Sequence, residues 1–291
     1  MKFKLNPIKQ TALFLSIYSL GAIILGYQSG MLLHLGLTLG FALILFTAFS
    51  KITKKKKNIW DTVITGLILF LILHYTQSNS LFDLVDLVVF TPPETFKTSL
   101  LFKSIYAITA TTIAMVFKFF VEFKKMPIIN PVVAGLLGAI LLLDINPLIP
   151  ESWDFGSIFI SWWGTNFAGY ISLALIAIWI MFGLKKWRKY NVLISFLIAH
   201  GIIILFRGEP LGFLEFIYTD ATIYFFAAIM LIEPKTSPLK KDHQIAYGIF
   251  AALLYNGFIV LGLPHYELLA IAGANVFNTL LRAHMMRPKK A

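Results

Sequence analysis

The chain has 291 residues, 58% of them hydrophobic and only 13% charged, with a mean hydropathy of +0.79; a soluble protein of this length needs far more polar surface. It has no cysteine, which excludes disulfides, thiolate zinc sites, thiol nucleophiles and any iron–sulfur cluster held by this chain alone. The net charge of +11 falls in short stretches between apolar runs, which points to membrane topology and contact with anionic lipid and away from nucleic-acid binding.

Ten apolar segments follow in order, each near the roughly 17–25 residues that a span requires. They are Thr11–Tyr27, Met31–Phe49, Ile59–Tyr75, Leu101–Phe120, Ile128–Leu143, Thr165–Leu184, Val192–Phe206, Phe216–Ile232, Gln244–Leu261 and Tyr266–Leu281. The basic start Met1-Lys-Phe-Lys leads into an apolar run too long for a signal peptide and without a small-x-small cleavage site, so it is read as a retained first span. Threading the ten segments puts Lys2, Lys4, Lys9, the run Lys51 to Lys57, Lys118, Lys124, Lys125, Lys185 to Lys189, Lys235, Lys240, Lys241 and the basic C-terminal residues on one side. The other side holds Lys97, Lys103 and Arg207 with most of the acids, among them Asp83, Asp86, Glu94, Asp144, Glu151, Asp154, Glu209 and Glu267. Positive residues stay inside, so both termini are expected in the cytoplasm. Lys54–Lys57 is read as a solvated loop. The predicted fold is an all-α membrane protein with about ten transmembrane helices, in a single polytopic domain over residues 1–291.

The third span opens Asp61-Thr-Val-Ile and the eighth Asp220-Ala-Thr-Ile. Two spans later, Met126-Pro127 precedes the fifth and Leu263-Pro264 the tenth. An offset of five spans is odd, so the two copies would face opposite ways, which predicts a five-plus-five inverted repeat with halves at about 1–143 and 165–284. In such folds the functional site lies where the halves meet.

Several clusters could carry chemistry. Met126-Pro-Ile-Ile-Asn-Pro-Val-Val-Ala-Gly135 reads first as a helix start with Pro in its first turn, and its Gly135 also allows close approach of a helix or a flat ring. Glu233-Pro-Lys-Thr-Ser-Pro238 is either a plain cytoplasmic turn or a site whose Thr236 and Ser237 hydroxyls hold a phosphate, a ribityl chain or an ion. Around Trp162-Trp-Gly-Thr165, an interfacial belt and a helix cap are favoured; the functional reading is a dock for an aromatic cofactor with Thr165 as attachment point. Lys118 reads as a snorkelling lysine or as the partner of a buried anion. His34, His74 and His200 lack the spacing of a metal site, and no metal is expected.

In this order the pieces resemble the NqrB/RnfD family, membrane subunits of bacterial and archaeal complexes that couple electron transfer to sodium or proton translocation. The resemblance rests on Lys118 followed by Asn130-Pro131-x-x-x-Gly135, on Glu233-Pro234-Lys-Thr236-Ser237-Pro238 with Glu in place of the family's Asp, and on Tyr247-Gly248, Gly262-Leu-Pro264 and Ala274-Asn275. It implies a subunit of an oxidoreductase complex in the cell (inner) membrane that binds FMN or riboflavin, with flavoprotein or ferredoxin-type redox subunits as partners. The implied cofactor residues are Lys118, Asn130, Pro131, Gly135, Thr165, Glu233, Pro234, Thr236, Ser237 and Asn275. The family's covalent attachment motif, Ser-Gly-Ala-Thr, is absent, and Trp163-Gly164-Thr165 stands near its place, which argues against covalent flavin. The alternative is a transporter or channel of the same inverted architecture with Asp61, Asp220 and Glu233 along an ion path.

Overall fold

The computed structural model describes residues 6–25, 31–73, 100–124, 126–143, 160, 162–165 and 170–285, and most of these are helical. The first part of the chain forms α1 (Pro7–Leu25), α2 (Met31–Thr53), α3 (Ile59–Ile72), α4 (Leu100–Phe120) and α5 (Pro131–Leu143). The second forms α6 (Tyr170–Trp187), α7 (Tyr190–Phe206), α8 (Leu211–Thr219), α9 (Ala221–Met230), α10 (Lys241–Val260) and α11 (Tyr266–Met285). A small antiparallel hairpin, β1 (Glu122–Phe123) with β2 (Met126–Pro127), leads into α5.

Among the described residues four helices, α1, α2, α6 and α10, are long and apolar enough to cross a membrane, five crossings in all if the bent pair α8–α9 counts as one; α3, α5 and α7 are shorter apolar helices. Their outward faces are apolar: Leu20, Ile24, Ile44, Leu141, Phe182, Ile198, Leu253 and Val260 are each more than half exposed. Such a surface is a liability in water and suits contact with lipid. Inside, one continuous apolar core runs from Leu15 to Ala274 and joins the two parts of the chain. His74, Asp83, Asp86, Glu94, Asp144, Glu151 and Asp154 lie outside the described residues.

The packing order of the first five helices recurs in the second set. In the first, α3 packs on α1 and α2, and α4 on α2 and α5; in the second, α9 packs on α6 and α7, and α10 on α7 and α11. Counterpart helices also meet, and they run antiparallel. Along α1, Thr11 bonds Trp187, Phe14 stacks on Trp179, and Tyr18 donates to the Thr165 carbonyl, so ascending α1 means descending toward the start of α6. Likewise Ile128 and Asn130, ahead of α5, meet Thr279 and Asn275 late in α11. Asp61, at the start of α3, meets Lys235 just past the end of α9, while Gly164, beside Leu71 near the end of α3, is followed by Thr165, which meets Thr222 at the start of α9.

Three local expectations change. The eighth segment is not one helix: α8 and α9 meet at 63°. Asp220 is extended there (φ −82°, ψ 124°), and its carboxylate accepts from the Thr222 amide at 2.8 Å, so a new helix starts. Asp61 does not open α3; Asn58 is the N-cap, accepting from the Trp60 amide at 3.1 Å, and Asp61 lies in the first turn, where its carboxylate is not used for capping and pairs with Lys235. Nor is Lys54–Lys57 simply solvated. Lys55 Nζ donates to the Phe119 carbonyl at 2.6 Å and Lys57 Nζ to the Lys118 carbonyl at 2.9 Å, and both pair with Glu122. They satisfy carbonyls that the end of α4 leaves without helical partners.

Candidate functional site

The site begins where α9 stops. Its last turn is π-helical over Phe226–Met230, and the Leu231 amide donates five residues back to Phe226 at 2.9 Å. Pro234 lacks an N–H and pushes Glu233 out of helical geometry, so the carbonyls on either side of it need other donors. They find them within the protein. Met230 O accepts from Asn130 Nδ2 at 3.3 Å, Leu231 O from the Tyr247 hydroxyl at 3.3 Å, and Ile232 O from Ser237 Oγ at 3.1 Å. Lys235 O accepts from Arg282 at 3.0 Å, Thr236 O from Asn278 Nδ2 at 2.6 Å, and Ser237 O from both Lys189 and Arg282 at 3.2 Å. Irregular backbone among apolar helices persists only when its polar groups are paired in this way. Lys189 is buried, and burial together with nearby Arg282 lowers its ammonium to about 7.

Asn130 fixes the other wall. Its Oδ1 accepts from the Val132 amide at 2.9 Å and caps α5, with Pro131 in the first helical position. Its own amide donates to Asn275 Oδ1 at 2.7 Å, and Asn275 Nδ2 donates to the Tyr247 hydroxyl at 2.7 Å. One hydrogen-bonded chain thus ties α5, α11, α10 and the end of α9. Gly135 lies outside this network: a Cβ there would strike the Ala110 carbonyl, so it serves the tight crossing of α4 and α5.

Between these walls is a cavity of about 180 Å³ lined by both parts of the chain. Ile64, Ile68, Ile229, Ile232, Trp179 and Trp187 make it apolar; Asp61, Thr65, Lys118, Asn130, Glu233 and Pro234 make one polar wall. Lys118 Nζ donates to the Asp61 carbonyl and, at 2.7 Å, to Thr65 Oγ1. Lys235 Nζ lies 2.5 Å from Asp61 Oδ2, an ion pair that joins the first part of the chain to the second. Burial raises the Glu233 carboxyl above the ordinary carboxylate range, and Lys118 nearby works against that. Burial and the neighbouring Lys235 and Lys55 lower Lys57 to about 8. Lys57, Asp61 and Lys235 also line a shallower vestibule of about 570 Å³ with Lys55, Lys56 and Glu122. An apolar, indole-walled chamber with ammonium groups at its mouth can take a flat or apolar group attached to an anion.

The structure therefore brings Lys118, Asn130, Pro131, Glu233, Pro234 and Asp61 to one cavity, with Asn275 one bond away. Thr236 and Ser237 are buried but turn inward: Thr236 Oγ1 donates to Glu233 Oε2 at 3.0 Å and Ser237 Oγ to the Glu233 carbonyl at 2.8 Å, so both hydroxyls close the loop. Thr165 and Asp220 sit at the opposite end of the bundle. The Thr165 hydroxyl is fully buried, donates to the Trp162 carbonyl at 2.7 Å and lies 2.9 Å from that of Thr222. Sequence reasoning missed Trp179, Trp187 and Lys57; two tryptophans eight residues apart at the basic end of one span were the available signal. Among the described residues no group of His, Asp and Glu is arranged to hold a metal. No protein-family model matches the chain, and no curated protein matches it either.

Proposed function

We propose that the chain is a membrane subunit of an Rnf/Nqr-like electron-transport complex, a ten-span, five-plus-five inverted repeat with cytoplasmic termini, holding a flavin between its halves. The observation that carries this reading is convergence: Lys118, Asn130, Pro131, Glu233 and Pro234, scattered over more than a hundred residues of sequence, line one cavity. The recurring packing order and the antiparallel counterpart helices support the inverted repeat.

The residues fit a flavin in one orientation. The cavity is smaller than the roughly 300–1,000 Å³ usual for a whole ligand, so it suits the ring, with Trp179 and Trp187 against it. Lys57, Lys235, Lys55 and Lys56 in the vestibule suit the ribityl phosphate. When bound, the flavin would supply one- and two-electron chemistry. The chain's part is to exclude water with its isoleucine walls, to place the Lys118 Nζ donor beside the ring, and to keep Glu233 close by as a proton-carrying group. The burial and bonding of the Thr165 hydroxyl speak for a cofactor held without a covalent bond.

The test is a fluorescence titration of the purified, detergent-solubilised protein with FMN and riboflavin. FMN should bind more tightly than riboflavin, because only FMN has the phosphate. Binding of neither, including after co-expression with neighbouring redox subunits, overturns the proposal. A second reading, a transporter or channel for a small anion or ion, draws on the Asp61–Lys235 pair that bridges the halves at the mouth. Flux in proteoliposomes without any electron donor would favour it.

A further inference from the structure

A second concavity lies on the outside of the bundle, along the seam of α7 and α10. It has a volume of about 550 Å³ and is walled by Ile194, Ile198 and Ile202 on one side and Ile245, Ile249 and Leu253 on the other. All six are roughly half exposed. Ser195 lies at its floor, but its hydroxyl donates to the Asn191 carbonyl at 2.5 Å, so it offers the trough no free donor. The two helices are drawn together at Gly248, where a Cβ would strike Ser195 Oγ and the Val192 carbonyl. From Asn191 to Ile203 the trough runs about 18 Å at ~1.5 Å per residue, close to one leaflet of a hydrocarbon core ~30 Å thick. Its walls are mostly β-branched, and such side chains hold one rotamer on a helix. The trough is therefore a preformed channel and not a fluctuating surface.

The Asn191 end of the trough is basic. Gln244 Nε2 donates to the Arg188 carbonyl at 3.1 Å and to the Leu239 carbonyl at 3.1 Å, which ties Arg188 to the start of α10, where Lys240 and Lys241 stand. All three are exposed, and none is in an ion pair among the described residues; Asp242 is the acid beside them. Three cations against one carboxylate, at the head of an apolar channel one leaflet long, match the shape and charge of a single molecule type.

We propose that the α7–α10 trough is a specific site for one anionic phospholipid, with an acyl chain along the isoleucine walls and the headgroup among Arg188, Lys240 and Lys241. The site rests on the membrane reading of the chain and not on flavin. Its test uses the whole protein in detergent and needs no redox assay. Native mass spectrometry with phosphatidylglycerol or phosphatidylethanolamine of equal chain length should show one tightly retained phosphatidylglycerol. Retention should fall about fivefold for each charge removed in Lys240→Gln and Lys241→Gln. A photoactivatable acyl chain on phosphatidylglycerol should cross-link the unaltered protein mainly within residues 191–203 and 245–253. This mapping stays decisive even if a variant folds poorly. Equal retention of the two lipids, or cross-links spread evenly over all outward helices, overturns the site. So does a trough found covered by a second copy or by another subunit's helix.

Discussion

The two ends of the bundle start from the same short sequence and finish differently. Asp61-x-x-Ile and Asp220-x-x-Ile lie on counterpart helices that run antiparallel, so the motif occurs once at each end. At the Asp220 end the carboxylate caps its own helix, the Thr165 and Thr222 hydroxyls meet at 2.9 Å, and the Tyr18 hydroxyl donates to the Thr165 carbonyl at 2.6 Å. Its polar groups are used locally. At the Asp61 end Asn58 takes the capping role, and the carboxylate one turn later reaches across to Lys235. An end whose charge is not needed for capping can form a charged mouth, and Asn58 takes over that need at the Asp61 end.

The largest effect should come from removing the group that holds the cavity end together. Asn130→Ala deletes the cap on α5, worth about 1 kcal/mol. It also leaves the buried Met230 O without its donor, about 1–3 kcal/mol more, while the bond from the Asn130 backbone amide to Asn275 Oδ1 is kept. Thermal unfolding in detergent should show a total loss of roughly 2–4 kcal/mol. A loss below half a kilocalorie would mean that the Asn130 side chain is incidental to the cavity end.

Next comes the mouth. Asp61→Asn keeps the backbone carbonyl that accepts from Lys118 but removes the negative charge facing Lys235. With a unit charge at ~4–6 Å and an effective dielectric near 20, anion affinity should rise by roughly an order of magnitude or more. The check is an FMN or inorganic phosphate titration of the variant against the unaltered protein. Weaker binding would show that Asp61 helps the ligand and would turn the electrostatic account of the mouth around.

This contrast between ends was partly legible in the sequence. The apolar segments predicted helices at nearly every place where one forms, because burial among apolar neighbours dominates their formation. The convergence of Asn130 with Glu233 and Pro234 was legible through proline and carboxylate in otherwise apolar context, both of which demand partners. What stayed hidden were roles set by distance in space. Nothing in Lys54–Lys57 reveals that Lys55 and Lys57 cap a helix more than sixty residues later. Thr236 and Ser237 looked like ligand donors because their residue type is right; only the fold of the loop shows them turned toward Glu233. Asp61 and Asp220 share residue type and motif, and only the structure shows that Asn58 and not Asp61 caps α3.

A pH series should separate the ends more finely. Lys57 is lowered to about 8 by burial and by Lys235 and Lys55, so its positive charge at the mouth is present below that pH and lost above it. Glu233, raised above the ordinary carboxylate range by burial, also gains negative charge as pH climbs. Both changes oppose an anion, so FMN affinity should fall severalfold as pH rises through about 8. Lys57→Arg, which stays charged throughout, should remove the fall through about pH 8, and Glu233→Gln whatever part of the pH dependence its carboxylate contributes.

The smallest expected effect is the sharpest control on the comparison. Asp220→Asn changes the same residue type, on the counterpart helix, at the closed end. Asparagine caps a helix about as well as aspartate, so stability should move by no more than a few tenths of a kilocalorie. Asp220→Ala should lose about 1 kcal/mol, because the Thr222 amide then has no acceptor. Neither substitution should alter anion binding, since the cavity and its mouth are at the other end. Anion affinity that shifts with Asp220→Asn as it does with Asp61→Asn would mean the two aspartates share one field or one path. In that case the separation of a closed end from a charged one fails, and the ion-path alternative gains.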